Sequence, residues 1–119
     1  MKDIVKPLSW NNGVLKLLDQ RLLPLEEVIV ENHSIDDAFN SIRDMVVRGA
    51  PLIGFTGIFG MALFAKSNRS ASLEDFRKAA DYLNSSRPTA VNLAYELNRC
   101  VEIIEESFAN KTTDEIEVS

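Results

Sequence analysis

Short β-rich runs separated by turn residues occupy positions 4–32, and helical spacing of apolar residues takes over from residue 34. Asn12-Gly13, both tolerant of positive φ, separates Leu8-Ser9-Trp10 from Val14-Leu15-Lys16-Leu17-Leu18 and predicts a hairpin. Asp19-Gln20 predicts a second turn. Arg21-Leu22-Leu23 then continue an extended run to Pro24 at a strand edge, and Val28-Ile29-Val30 supply a third β-branched piece. The pattern reads as a small antiparallel meander.

Ser34 with Asp37 three positions on has the spacing of a capped helix start. Ile35, Ala38, Phe39, Ile42, Met45 and Val46 form one apolar face, and Gly49 is the expected stop. Pro51 opens the next helix, where only Thr56 is polar between Ala50 and Ala65. A helix apolar on every side has to be surrounded, so the other segments are expected to pack around this one. At about 1.5 Å per residue, Leu52 to Ala65 reaches roughly 21 Å, short of a bilayer's hydrocarbon core, so it reads as a buried helix rather than a membrane span. Gly54, Gly57 and Gly60 each cost about 1 kcal/mol in a helix interior, and close approach of neighbouring helices explains them more simply than a ligand does.

Ser72 and Asp75 repeat the capping signature, with Leu73, Phe76, Ala79, Ala80 and Leu83 on one face. Pro88 opens a further helix predicted to run to about Asn110, burying Ala90, Ala94, Leu97, Val101, Ile104 and Phe108. Thr112-Thr113-Asp114-Glu115-Ile116 reads as the start of another capped helix, which implies a longer protein; a frayed polar tail is the alternative. The expected class is α+β: a β-meander at about 4–32 and a helical bundle at about 34–110, forming one domain over 1–119.

Composition narrows the function. A net charge of −5 over 119 residues argues against nucleic acid or anionic membrane as the main partner. One cysteine allows no internal disulfide and fits a reducing cytoplasm, and Met1-Lys2-Asp3-Ile4 opens no signal-length apolar stretch. No zinc spacing, phosphate loop or dinucleotide fingerprint is present, so no metal and no cofactor is expected. His33 in a turn reads as a surface residue, and Cys100, on or near a packed helix face, as an inert thiol.

Two helix starts stand out. Arg48 precedes the one at Pro51 and Arg87 the one at Pro88, where a cation opposes the helix dipole unless an anion sits between them. Unpaired N–H groups and two guanidinium forks would hold a phosphate; the alternative is that both arginines are simply solvated.

Trp10, Leu18-Asp19-Gln20-Arg21, Leu23-Pro24, Ile42-Arg43, Met45 to Pro51, Ile53-Gly54 and Ser86-Arg87-Pro88-Thr89-Ala90-Val91-Asn92-Leu93 together resemble the N-terminal domain of the methylthioribose-1-phosphate isomerase family. That family is shared with ribose-1,5-bisphosphate isomerase and the regulatory subunits of the translation-initiation guanine-nucleotide exchange factor. Leu52, Thr56-Gly57 and Ile58-Phe59 depart from its usual alanine-rich pattern at packing positions. The resemblance implies an aldose–ketose isomerase of methionine salvage, with Arg48, Gly49, Ala50 and Arg87 lining the phosphate and sugar end of the substrate. It further implies a catalytic cysteine and aspartate in a Rossmann-like C-terminal domain beyond this chain, so that no catalytic residue is expected here and the fragment alone is inactive. A homodimer is implied for the full-length protein. The family's other branches leave two alternatives: a ribose-1,5-bisphosphate isomerase-type domain, or a non-catalytic regulatory module.

Overall fold

The structure, a computed structural model, describes residues 7–118. The expected start of the meander at residue 4 lies outside them. Strands β1 (Leu8–Asn11), β2 (Val14–Leu18) and β3 (Ile29–Asn32) form an antiparallel sheet in the order β1-β2-β3. Trp10 pairs with Leu15, and Leu17 with Val30. Asn12 at φ 54° and Gly13 at φ 75° make the predicted two-residue turn.

The predicted extension over Arg21-Leu22-Leu23 is instead a single 3-10 turn, Gln20–Leu22. Asp19 causes it. Its carboxylate accepts the Arg21 backbone N–H at 3.0 Å and the Arg21 guanidinium at 2.9 and 2.7 Å, which bends the chain before a strand can continue.

Four helices follow: α1 (Ile35–Arg43), α2 (Ala50–Ser67), α3 (Leu73–Asn84) and α4 (Val91–Val118). Three expected boundaries move. First, α1 ends at Arg43, six residues before Gly49. Met45, at φ 62°, takes the left-handed position usually given to glycine; its N–H donates to Ile42 O at 3.2 Å and that of Val46 to Ser41 O at 2.9 Å, closing the helix. Second, Pro88 lies in a turn closed by Ala90 N–H to Arg87 O at 3.0 Å, and α4 begins only at Val91. Third, α4 runs unbroken through Asn110 and Thr112, where neither glycine nor proline interrupts it, so no separate helix begins at Thr112.

Consecutive helices run antiparallel, so the starts of α1 and α3 share one end of the bundle and those of α2 and α4 the other. By length and composition alone α2 could cross a membrane, yet it is the helix the others pack on. A Cβ on Gly54 would meet Glu96 Cγ at 3.0 Å, and one on Gly57 would meet Leu93 Cδ1 at 2.6 Å, both on α4. On Gly60 it would meet Leu83 and Ala38 of α3 and α1. The glycines thus serve close packing. The enclosure is incomplete: Phe55 on α2 is 50% exposed. Leu93, absent from the expected buried face of α4, is wholly buried.

Candidate functional site

The four helix starts come in two kinds. Ser34 accepts the Asp37 N–H at 3.2 Å, while the Asp37 carboxylate accepts the His33 N–H at 2.9 Å. Ser72 and Asp75 exchange a full capping box at 3.1 and 3.0 Å. Both helices also carry acids in the first turn, so their partial positive charge already has a partner. At α2, Gly49 (φ 87°) offers no side-chain cap and the first turn holds no acid. At α4, Ala90 offers no side-chain acceptor and the first turn again holds no acid.

These two open starts face one cavity of about 330 Å³. Gly49, Ala50 and Ile53 form the α2 side of its wall; Ala90, Val91 and Asn92 form the α4 side. Arg87 lies in the wall between them, partly buried, its turn held by its N–H to Asn84 O at 3.3 Å. Of the four expected site residues, Gly49, Ala50 and Arg87 therefore meet at one place. Arg48 is exposed one residue outside the wall, just after the fully buried Val47. Asn92 is an addition: it lines the cavity, and its place in the Arg-Pro-Thr-Ala-Val-Asn run is the signal that could have found it.

The residues lining the cavity carry the backbone N–H groups of two helix ends, one guanidinium and one carboxamide, with apolar Ile53, Ala90 and Val91 alongside. Among the described residues no carboxylate lines it. Such a donor set suits an anion carrying a small organic body. A larger cavity, about 630 Å³, opens at the opposite end of the bundle, where Asp36, Asp75, Lys78 and Tyr82 line it. Its helix starts are already satisfied by their own acids, and the Tyr82 hydroxyl donates to Asp36, which raises the Tyr82 pKa. Size alone favours that cavity; donor chemistry favours the smaller one.

Cys100 lies outside both cavities, and burial, with the Glu96 charge second, raises its thiol pKa, which disfavours the thiolate a nucleophile needs. His33 is exposed beside Glu31, Nε2 to Oε1 at 3.1 Å. Among the described residues no group of three or more His, Cys, Asp or Glu is placed to hold a metal.

Residues 46–119 match the family model described as the initiation factor 2 subunit family. The methylthioribose-1-phosphate isomerase of Pseudomonas aeruginosa strain UCBPP-PA14 is 49% identical over 108 residues, covering 85% of this chain and 29% of its own. That of Thermotoga neapolitana is 40% identical over 117 residues, covering 98% of this chain and 34% of its own. Among solved structures, 5-methylthioribose 1-phosphate isomerase from Pyrococcus horikoshii superposes with a TM-score of 0.79 at 36% identity, covering 87% of this chain and 30% of that one. The translation initiation factor eIF-2B subunit delta from A. fulgidus gives 0.76 at 36% identity, covering 83% of this chain and 30% of that one. The chain thus spans about a third or less of the relatives it matches.

Proposed function

The chain belongs to the initiation factor 2 subunit family, and from that membership we propose that it is the substrate-holding N-terminal domain of a methylthioribose-1-phosphate isomerase. The observation that carries this reading is the convergence of two uncapped, acid-free helix starts on one cavity with Arg87 in its wall. The phosphoryl oxygens sit against the N–H groups of α2 and α4, and Arg87 forks onto two of them. Arg48, outside the wall, swings over the mouth once the anion is in place. Ile53, Ala90 and Val91 take the apolar side of the sugar.

The family reaction opens a furanose whose anomeric oxygen carries phosphate and moves a hydrogen from C2 to C1, giving the ketose. Holding the phosphate orients C1 and C2, a contribution on the order of several kcal/mol, but an acid and a base must come from elsewhere. In this reading they are the cysteine and aspartate of a Rossmann-like domain beyond this chain. The exposed Phe55, Val91 and Tyr95, on the helices that frame the cavity, are where that domain closes over it. We place the protein in the cytoplasm, in methionine salvage, as a homodimer when full-length.

A phosphate titration tests the holding role. Inorganic phosphate and ribose 1-phosphate should each perturb the backbone amides of Ala50 and Asn92. Arg87→Ala should weaken binding at least tenfold, the value of a charge-assisted bond to an anion. Equal binding by parent and Arg87→Ala would overturn it. The near-equal likeness to the eIF-2B delta subunit, TM-score 0.76 against 0.79, supports a second reading as a non-catalytic regulatory domain. Sugar-phosphate binding without isomerase activity in the full-length protein would favour that one.

A further inference from the structure

Between sheet and bundle lies a chain of buried polar contacts that the phosphate reading does not use. Asn32 is wholly buried, and Ser41 is 3% exposed. Asn32 Nδ2 donates to Leu15 O and to Val30 O, each at 3.2 Å, and its Oδ1 accepts the Ser41 hydroxyl at 2.7 Å. Flipping the amide would set oxygen against two carbonyls, so the contacts themselves define its orientation. Ser41 O then accepts the Val46 N–H at 2.9 Å, and Val46 O accepts the Gln20 N–H at 2.8 Å. Both polar ends of Val46 are therefore held, one by α1 and one by the turn after β2. Val47 is buried next, and Arg48 and Gly49 follow directly.

We propose that Asn32 and Ser41 are positioning residues for the anion cavity, tying the loop at 44–47 to the sheet so that Arg48 and the start of α2 have one fixed placement. The proposal rests on the phosphate reading of that cavity. The physical reason lies in the cost of the arrangement. Buried polar groups gain little net stability over apolar ones of the same shape, but a fully satisfied set allows only one geometry. The α1–α2 loop needs such a constraint. Its Met45 sits in a left-handed conformation without glycine, and no side chain caps the α2 start.

The test uses the 119-residue chain, inorganic phosphate as probe, and amide exchange across residues 46–50. Ser41→Ala should weaken phosphate binding about fivefold, the value of one lost hydrogen bond, and speed exchange at 46–50. Ser41→Thr, which keeps the hydroxyl, should restore binding to within about twofold of the parent. Ile42→Val, a purely apolar neighbour change, should lower Tm without moving phosphate affinity. Unchanged affinity in Ser41→Ala, or an equal loss in Ile42→Val at equal Tm, would overturn the proposal. Should Ser41→Ala fail to fold, Ser41→Cys, a weaker donor, is read in the same way. A parent chain that binds no phosphate sinks the cavity reading separately. Exchange at 46–50 then decides the tether, which falls if Ser41→Ala leaves it unchanged.

Discussion

The two ends of this bundle solve the same electrostatic problem in opposite ways. At one end, α1 and α3 begin with serine caps and place aspartates in their first turns, so each helix start satisfies itself. At the other, α2 and α4 begin on glycine and alanine with no acid in the first turn, and a guanidinium stands where a carboxylate would be expected. Unpaired N–H groups near a cation are unfavourable alone and favourable around an anion. The difference separates an end whose helix starts satisfy themselves from an end whose helix starts are left open, and it explains why the larger cavity is not the better candidate for an anion.

The most drastic way to break the contrast is to give α2 the acid it lacks. Ala50→Asp should occupy the open start with its own carboxylate and repel the phosphate, weakening phosphate binding about 30-fold, near 2 kcal/mol, while leaving Tm equal or higher. Calorimetric titration checks the first and a thermal melt the second. Unaltered affinity would mean that the α2 start does not touch the anion.

Next in size is the packing that brings the two open starts together. A Cβ on Gly57 would lie 2.6 Å from Leu93 Cδ1 in a fully buried contact. Gly57→Ala should therefore cost about 2 kcal/mol in denaturant unfolding, well beyond the gain from replacing a helical glycine. It should also weaken phosphate binding, because α2 and α4 move apart. Stability at or above the parent's would show that Leu93 yields without cost.

Which parts could be read in advance follows from the range of the interactions. Ser34/Asp37 and Ser72/Asp75 are local pairs, and both marked true helix starts. Asn12-Gly13 is equally local. That Arg87 and Gly49 meet at one cavity was foreshadowed because each adjoins a proline-bearing junction, although Pro88 proved to sit in a turn before α4. The 3-10 turn at Gln20–Leu22 was hidden because Asp19 reads as any turn residue until its carboxylate is seen gripping Arg21. The end of α1 was misplaced because Met45 adopts a conformation for which the natural signal is glycine, and Gly49 stood nearby to claim it. The Asn32–Ser41 contact spans nine positions and two element types, beyond the reach of any periodicity argument.

The capped end should answer to its own residues and leave the open end alone. Ser72→Ala removes the acceptor for the Asp75 N–H and should cost about 1 kcal/mol in unfolding, with phosphate affinity unchanged. A parallel loss of affinity would mean that the two ends are coupled through α3.

Acid supplies the mildest probe of the same asymmetry. The Asp75 pKa lies below its ordinary value of 3.8, chiefly because the Ser72 backbone N–H donates to the carboxylate, with the polar Ser72 side chain beside it second. The Asp19 pKa is lowered chiefly by the Arg21 guanidinium. A carboxyl group that holds its proton less tightly folded than unfolded contributes stability above its unfolded pKa and loses it as the pH falls through the folded one. Tm should thus be level near neutrality and decline below about pH 4, where both groups take up protons. The α2 and α4 starts have no first-turn acid to add to that decline. Asp75→Asn should accordingly flatten the acid limb slightly, lower Tm at pH 7, and leave phosphate affinity at neutral pH as it was. An acid limb as steep as the parent's would remove the Asp75 cap from the account of how that end is held.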